Sequence, residues 1–265
     1  MPAHDQAHGC HSETERVVNL LRQKLAKGKV LGCIQVMASA DVTEVLAAAG
    51  VDMLMIDHEH GHGGLADVIA QLRALNGSGV PVLVRVPSDD AAYVHRLQDA
   101  GVDSILFPGV ESADRARALV RTCRYPPAGN RGAGGGLRAS RYDRDAEYYR
   151  RANEDMLVAV QIESVAGVAA AAEICAVEGV DLVVLGPRDM SSSLGKLGRF
   201  DDADVRQLFE DAERLVLASG IAMGSTVFPG LTIGDMFARG HRLLLAGTDV
   251  GWLAKAAKAA IEMPR

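Results

Sequence analysis

Carboxylate, imidazole, guanidinium, amide and hydroxyl groups gather at a few short stretches of the chain: Asp57-His58-Glu59-His60-Gly61-His62, Arg85, Gln161 with Glu163, Asp189 just after Gly186-Pro187-Arg188, and Ser225-Thr226. Such groups can do two kinds of chemistry. A histidine held by an aspartate is a proton-transfer unit, because the carboxylate fixes the ring tautomer and stabilises the charged ring; Asp57 with His60 has the residue types for it. Glu163 and Asp189 together offer oxygen donors only, with room for waters and a chelating ligand, which suits a hard divalent ion such as Mg2+ or Mn2+. The same acids can instead pair with Arg85 or Arg188, and Asp189 can cap the helix it opens, so residue types alone leave both readings open. His58, His60 and His62 would aim the same way on a strand and admit a zinc site. After Asp57, however, the chain is expected to turn.

The elements that must position these groups are marked by a recurring junction, Gly50-Val51-Asp52, Gly101-Val102-Asp103 and Gly179-Val180-Asp181, repeated loosely at Gly240-His241-Arg242. Each follows an Ala-rich helical stretch and precedes a short apolar run. Glycine just past a helix closes its last turn in the left-handed conformation, and an apolar run without alternation reads as a strand buried on both faces. Eight such strands are predicted: Val30–Val36, Met53–Asp57, Val82–Val86, Ser104–Phe107, Leu157–Ile162, Leu182–Leu185, Ala222–Val227 and Leu243–Ala246. Strands alternating with helices predict a single (β/α)8 TIM barrel. An open doubly wound sheet shows the same local alternation, but no early GxGxxG supports it. In a barrel, polar residues at the C-terminal strand ends read as catalytic, and the stretches named above fall at the ends of strands two, three, five, six and seven.

The 265 residues match one barrel domain, expected over residues 12–265. Ser12 and Glu15 form a capping-box pattern ahead of Val17, Val18, Leu20, Leu21 and Leu25, predicting an N-terminal capping helix that ends near Gly28 and plugs the barrel's bottom. Residues 1–11 carry His4, His8, Cys10 and His11, which have soft-metal chemistry, but a short polar terminus reads as a disordered tail. One long irregular insert, Tyr125 to Arg144, is rich in Gly, Pro and Arg; it is read as a substrate-covering loop on the strand-to-helix side, with plain flexible connection as the alternative.

Composition removes several function classes. The chain is 48% hydrophobic and 23% charged, and its apolar runs are too short to cross a bilayer. A net charge of -6 and a pI near 5.8 supply no basic field for nucleic acid or anionic lipid, leaving small molecules as partners. Four scattered cysteines without a CxxC pair, and no signal-peptide layout at the N-terminus, point to a reducing cytoplasm.

Five stretches, taken in order, are more specific than any one alone: Ile56-Asp57-His58-Glu59-His60, Pro81-Val82-Leu83-Val84-Arg85, Arg124-Tyr125-Pro126-Pro127-Ala128-Gly129-Asn130-Arg131-Gly132, Val160-Gln161-Ile162-Glu163 and Leu185-Gly186-Pro187-Arg188-Asp189-Met190-Ser191. From about Val17 to the C-terminus the chain resembles the HpcH/HpaI family of class II, metal-dependent pyruvate aldolases. The resemblance implies reversible cleavage of a 4-hydroxy-2-oxo acid to pyruvate, or a related 2-oxo acid, and an aldehyde. It implies a divalent ion, Mg2+, Mn2+ or Co2+, on Glu163 and Asp189, with Gln161 supporting the site. Arg85 then stabilises an enolate oxygen, and Asp57 and His60 form the acid/base pair. Gly186, Arg188, Asp189 and Ser225 stand as substrate contacts, with backbone N–H groups at Arg188 and Asp189 available to a substrate carboxylate.

The chain departs from the family in places. Many relatives have Gly at the position of His58 and Ala-Pro at Gly61-His62, so the rim here is more polar. Arg188 replaces a small residue and reads either as recognising a second acid on the substrate or as pairing with a surface carboxylate. Two other functions remain open: condensation of a 2-oxo acid with an acyl-CoA, with Arg131, Arg138, Arg141 and Arg144 available to its phosphates, and a non-catalytic barrel that binds a 2-oxo acid. Trp252, Leu253, Ala256, Ala257, Ala260 and Ile261 form an apolar face on the last helix, and the resemblance implies a homo-oligomer, a trimer or a hexamer of trimer pairs, packed through it.

Overall fold

The computed structural model describes residues 19–263; the expected tail and the residues Ser12, Glu15, Val17 and Val18 lie outside the described residues. In chain order the elements are α1 (Leu20–Lys27), β1 (Val30–Gln35), α2 (Ala40–Ala48), β2 (Met53–Asp57), α3 (Leu65–Ala74), β3 (Val82–Arg85), α4 (Ala91–Asp99), β4 (Ser104–Phe107), α5 (Ala113–Thr122), α6 (Tyr148–Asp155), β5 (Leu157–Ile162), α7 (Val165–Ala169), α8 (Ala171–Cys175), β6 (Leu182–Leu185), α9 (Pro187–Ser193), α10 (Ala203–Ser219), β7 (Ala222–Thr226), α11 (Ile233–Ala238), β8 (Leu243–Thr248) and α12 (Asp249–Ile261). The strands are all parallel and close in sequence order, β1 pairing with both β2 and β8, so the alternation resolves to a closed barrel rather than an open sheet. β8 runs to Thr248, two residues past its expected end, where its register with β1 slips between Gly32 and Ile34.

The junction glycines do what their spacing predicts. Gly50, Gly101, Gly179 and Gly240 have φ of +90°, +98°, +93° and +97°, a conformation that costs an L side chain roughly 1–2 kcal/mol. The aspartates that follow tie strand starts together: the Asp52 carboxylate accepts from Leu31 N at 2.8 Å and the Asp181 carboxylate from Val158 N at 2.9 Å.

Side-chain alternation splits the core into two layers. Val30, Met53, Leu83, Leu157, Leu182 and Leu243 pack with one another inside the barrel, while Leu54, Ile56, Val84, Ile105, Val160 and Leu185 face the helices. Leu21 and Leu25 of α1 join the inner layer at the strands' N-terminal ends. The helix is fastened there by polar contacts: Asn19 Nδ2 donates to Asp103 O and Ser104 Oγ, both at 2.9 Å, Arg22 pairs with Asp181, and Lys24 Nζ donates to Asp52 O at 2.8 Å. Asn19, whose side chain accepts from Arg22 N, is the N-cap of α1, which begins at Leu20.

The long insert is not a cover over the strand-to-helix face. α5, carried on Ala113, Ala116, Leu119 and Val120, intervenes after β4, so the insert joins helices α5 and α6 ahead of β5 and lies at the opposite end of the barrel. It is held there by Arg131, whose Nη2 donates to Asp99 at 2.9 Å and to Tyr148 Oη at 3.1 Å while the guanidinium stacks 4.4 Å from the Tyr125 ring centroid. Arg138 Nη1 donates to Ala100 O at 2.8 Å. Beyond Asp249, α12 is exposed throughout, Trp252, Leu253 and Ile261 included. No described helix is long and apolar enough to cross a membrane.

Leu21 is fully buried in the inner layer, so Leu21→Ala should destabilise the fold by about 2–5 kcal/mol in urea titration. A loss below about 0.5 kcal/mol, the scale of a surface substitution, would mean that α1 does not seal this layer.

Candidate active site

Alternation decides which of the expected residues can meet. Met53, Met55 and Asp57 point into the barrel, and so do Leu83 and Arg85; Leu54, Ile56 and His58 point outward. Register then places Asp57 opposite Arg85, and the two form a bidentate pair, Arg85 Nε and Nη2 donating to Asp57 at 2.9 and 2.7 Å. Arg85 Nη1 also lies 2.9 Å from Glu59 Oε2. Burial pushes the Asp57 carboxyl up, but Arg85 and the N–H groups of His60 and Glu59 outweigh it and hold it below the usual carboxylate range. Arg85 is held above its usual range: burial opposes its charge, and Asp57, Glu59 and Glu163 overcome that.

This corrects the expected dyad. Asp57 does not face the His60 ring; it accepts from His60 N at 3.3 Å and Glu59 N at 3.0 Å, so it pins the turn after β2. The carboxylate facing the imidazole is Glu59, 3.8 Å from Nε2, and the His60 side chain is 66% exposed at the barrel mouth. Nor do the three histidines converge. His58 is buried on the helix side with Nδ1 2.5 Å from Tyr93 Oη, and burial lowers its pKa against the pull of Asp57 and Asp67. His62 is exposed, and among the described residues no group of three or more His, Cys, Asp or Glu suits a metal.

A cavity of about 360 Å³ opens at the C-terminal strand ends, lined among others by His60, Arg85, Gln161, Gly186, Arg188 and Asp189. Glu163 stands directly behind Gly186, where an added β-carbon would come within 2.6 Å of Glu163 Oε2, so the close approach requires glycine. Gln161 Nε2 donates to Glu163 Oε2, and Gly109 N donates to Oε1 at 2.7 Å. Burial first, and the charge of Asp189 second, push the Glu163 carboxyl up to about 7. Asp189 lies in the first turn of α9. Two carboxylates that repel each other and a neighbouring amide present hard oxygen donors in number too few for a closed protein cage. That fits an ion held by one or two carboxylates with water and substrate completing the shell, as Mg2+ is.

Ser225 is not in the cavity. β7 turns Ala222 inward and Met223 toward the helices, so Ser225 is fully buried on the helix side, donating to Leu185 O at 3.1 Å, and Thr226 lines the cavity instead. Glu59, Gly109 and Thr226 are the site residues that sequence reasoning did not assign. Glu59, an acid between Asp57 and His60, and Thr226, beside Ser225 at the end of strand seven, each had a signal; Gly109 had none.

A closed (β/α)8 barrel with ionisable groups gathered at the C-terminal strand ends has the form of an enzyme. Comparison with known proteins agrees. The profile of the HpcH/HpaI aldolase/citrate lyase family matches residues 32–256. The chain is 40% identical over 242 residues to a hydroxypyruvate/pyruvate aldolase of Roseovarius nubinhibens, covering 91% of this chain and 94% of that one. It is 37% identical over 241 residues to a 4-hydroxy-2-oxovalerate aldolase of Rhodococcus jostii, covering 90% and 93%. The crystal structure of an HpcH/HpaI aldolase/citrate lyase family protein from Burkholderia cenocepacia superposes with a TM-score of 0.86 at 35% identity, covering 92% and 98%. The chain belongs to the HpcH/HpaI aldolase/citrate lyase family.

Glu163 makes the metal-free protein pH-sensitive in a defined direction. A carboxyl raised from 4.5 to about 7 in the folded state contributes stability that is fully present below pH 4.5 and is lost as pH rises through about 7. Urea midpoints measured in chelator should fall across this window, and Glu163→Gln should flatten the fall. Parallel curves for the two proteins would contradict the assignment.

Proposed function

We propose that the chain is a divalent-metal-dependent aldolase that reversibly cleaves a 4-hydroxy-2-oxo acid to pyruvate, or a related 2-oxo acid, and an aldehyde. The observation that carries this is the mutually repelling pair of Asp189, which lines one cavity with Gln161, Arg85 and His60, and Glu163, which packs directly behind the cavity-lining Gly186. Glu163 and Asp189 would hold Mg2+, Mn2+ or Co2+, which when bound polarises the carboxylate and carbonyl oxygens of the 2-oxo acid. Among the cavity-lining residues there is no lysine to form a Schiff base.

The remaining steps belong to side chains. Two of the five Arg85 N–H groups donate to Asp57 while Nη1 sits in an ion pair with Glu59, and the N–H groups not bonded to Asp57 can donate to the substrate oxygen on which negative charge develops. Asp57 fixes that guanidinium and the turn carrying His60. The His60 imidazole takes the proton from the aldol hydroxyl in cleavage and returns it in synthesis. Gly186 leaves room for the Glu163 carboxylate beside the cavity wall, and N–H groups at Arg188 and Asp189 hold the substrate carboxylate. Arg188 lines the cavity and makes no ion pair among the described residues, which favours its reading as the group that receives a second acid, carried on the aldehyde portion.

The acyl-CoA reading has little left: Arg131 and Arg138 are tied to the opposite end of the barrel. A non-catalytic reading has no lost group to point to. We further propose that residues 12–265 form one barrel domain whose floor α1 closes, and that the exposed apolar face of α12 packs on a second copy in a trimer or hexamer. The buried free thiols of Cys33, Cys123 and Cys175 suit a reducing cytoplasm.

The test is pyruvate release from a 4-hydroxy-2-oxo acid by metal-stripped protein with Mn2+ added back. Glu163→Gln and Asp189→Asn should lose metal activation and nearly all turnover, whereas His60→Ala should lower turnover by about 10²–10⁴-fold. Arg188→Ala should raise KM for aldehydes bearing a carboxylate, such as glyoxylate, more than for neutral ones. Undiminished turnover in either carboxylate variant would remove that residue as a ligand.

A further inference from the structure

Glu163 is gripped from the β4–α5 loop as well as from its own strand. Gly109 N donates to Glu163 Oε1 at 2.7 Å, and one residue on, Val110 N donates to Gln161 O at 3.0 Å. The other ends of the same two peptide units are held by one side chain. Arg115 Nη2 donates to Pro108 O at 3.2 Å, the carbonyl of the unit whose N–H reaches Glu163. Arg115 Nη1 donates to Gly109 O, the carbonyl of the unit whose N–H reaches Gln161. Two relays therefore run in parallel from one guanidinium through two peptides to the end of β5. A cation on the carbonyl of an amide also polarises its N–H toward the acceptor on the far side.

Arg115 is itself aimed. Its Nε and Nη2 donate to the Asp89 carboxylate at 2.7 and 2.9 Å, and Asp89 comes from the β3–α4 loop. The backbone it holds is special, since Gly109 has φ +62°, a left-handed conformation that favours glycine. The Arg115 and Asp89 side chains are 36% and 39% exposed, so as an ion pair they add little to folding stability. That separates a positioning role from a structural one.

We propose that Arg115, oriented by Asp89, is a positioning residue for Glu163: by clamping the peptides at Pro108-Gly109 and Gly109-Val110 it fixes the carboxylate and so sets the site's affinity for its divalent ion. This rests on the reading of Glu163 as a metal ligand. The experiment is Mn2+ titration of the full-length, metal-stripped protein, following free Mn2+ by electron paramagnetic resonance alongside thermal melting. Wild type should bind Mn2+ saturably and Glu163→Gln should not. Arg115→Ala should weaken binding by about 10–100-fold, the range for partners that orient a metal's ligands, with its melting temperature close to wild type. Asp89→Asn, a surface change that keeps the fold, should fall between the two, and Arg115→Lys, which keeps charge but not the fork, should recover only part of the loss. Wild-type affinity in both Arg115→Ala and Asp89→Asn overturns the positioning role alone. No Mn2+ binding by wild type, or binding undisturbed by Glu163→Gln, overturns the metal reading and this proposal with it.

Discussion

Two carboxylates of like charge, Glu163 and Asp189, are held near each other in a partly buried site, and the rest of the barrel mouth is arranged around their repulsion. Desolvation and the Asp189 charge drive the Glu163 carboxyl up to about 7, so near neutrality the pair without a cation is held at a cost to stability. The compensations are local. Gln161 and the Gly109 N–H donate to Glu163, Arg85 contributes charge, and Gly186 removes the side chain that would push the carboxylate aside. On the proposed function, this is the arrangement that would hold a divalent ion, with Glu163 and Asp189 as its protein ligands.

Arg85 links this pair to the turn that carries His60, the proton carrier of the proposed reaction. Its bidentate contact with Asp57 is a strong charge-assisted pairing in a buried setting, and Asp57 in turn accepts the N–H groups of Glu59 and His60. One aspartate thus sets both the guanidinium and the turn that carries the imidazole. The His60 ring is exposed at the mouth, while Asp57 and Arg85 beneath it are buried and paired.

Much of this was legible in the sequence. All eight strands are legible to within two residues because each is a short apolar run, most of them entered through a glycine at positive φ, whereas closure is shown by β1 pairing with β8. The inward groups Asp57, Arg85, Gln161 and Glu163 were legible because they sit at strand ends with intact alternation. What failed depended on information that one chain's pattern does not hold. In Ala222-Met223-Gly224-Ser225-Thr226 the small residues hide which face is inward, so Ser225 was chosen where Thr226 lines the cavity. The partner of Asp57 was set by register across β2 and β3, which places it opposite Arg85 and leaves Glu59 beside His60. The insert was assigned to the wrong end because α5, threaded with Arg115, Arg117 and Arg121, does not announce itself by hydrophobicity.

The account's central claim is that this mouth makes a carbon nucleophile from a 2-oxo acid with the help of a divalent ion. It is tested most directly by NMR of pyruvate in D2O with chelator-stripped protein, following exchange of the methyl protons before and after Mg2+ or Mn2+ is added. The account predicts exchange only once the metal is present, and none with Glu163→Gln. Exchange that proceeds equally without metal, or that never appears with it, would contradict the claim.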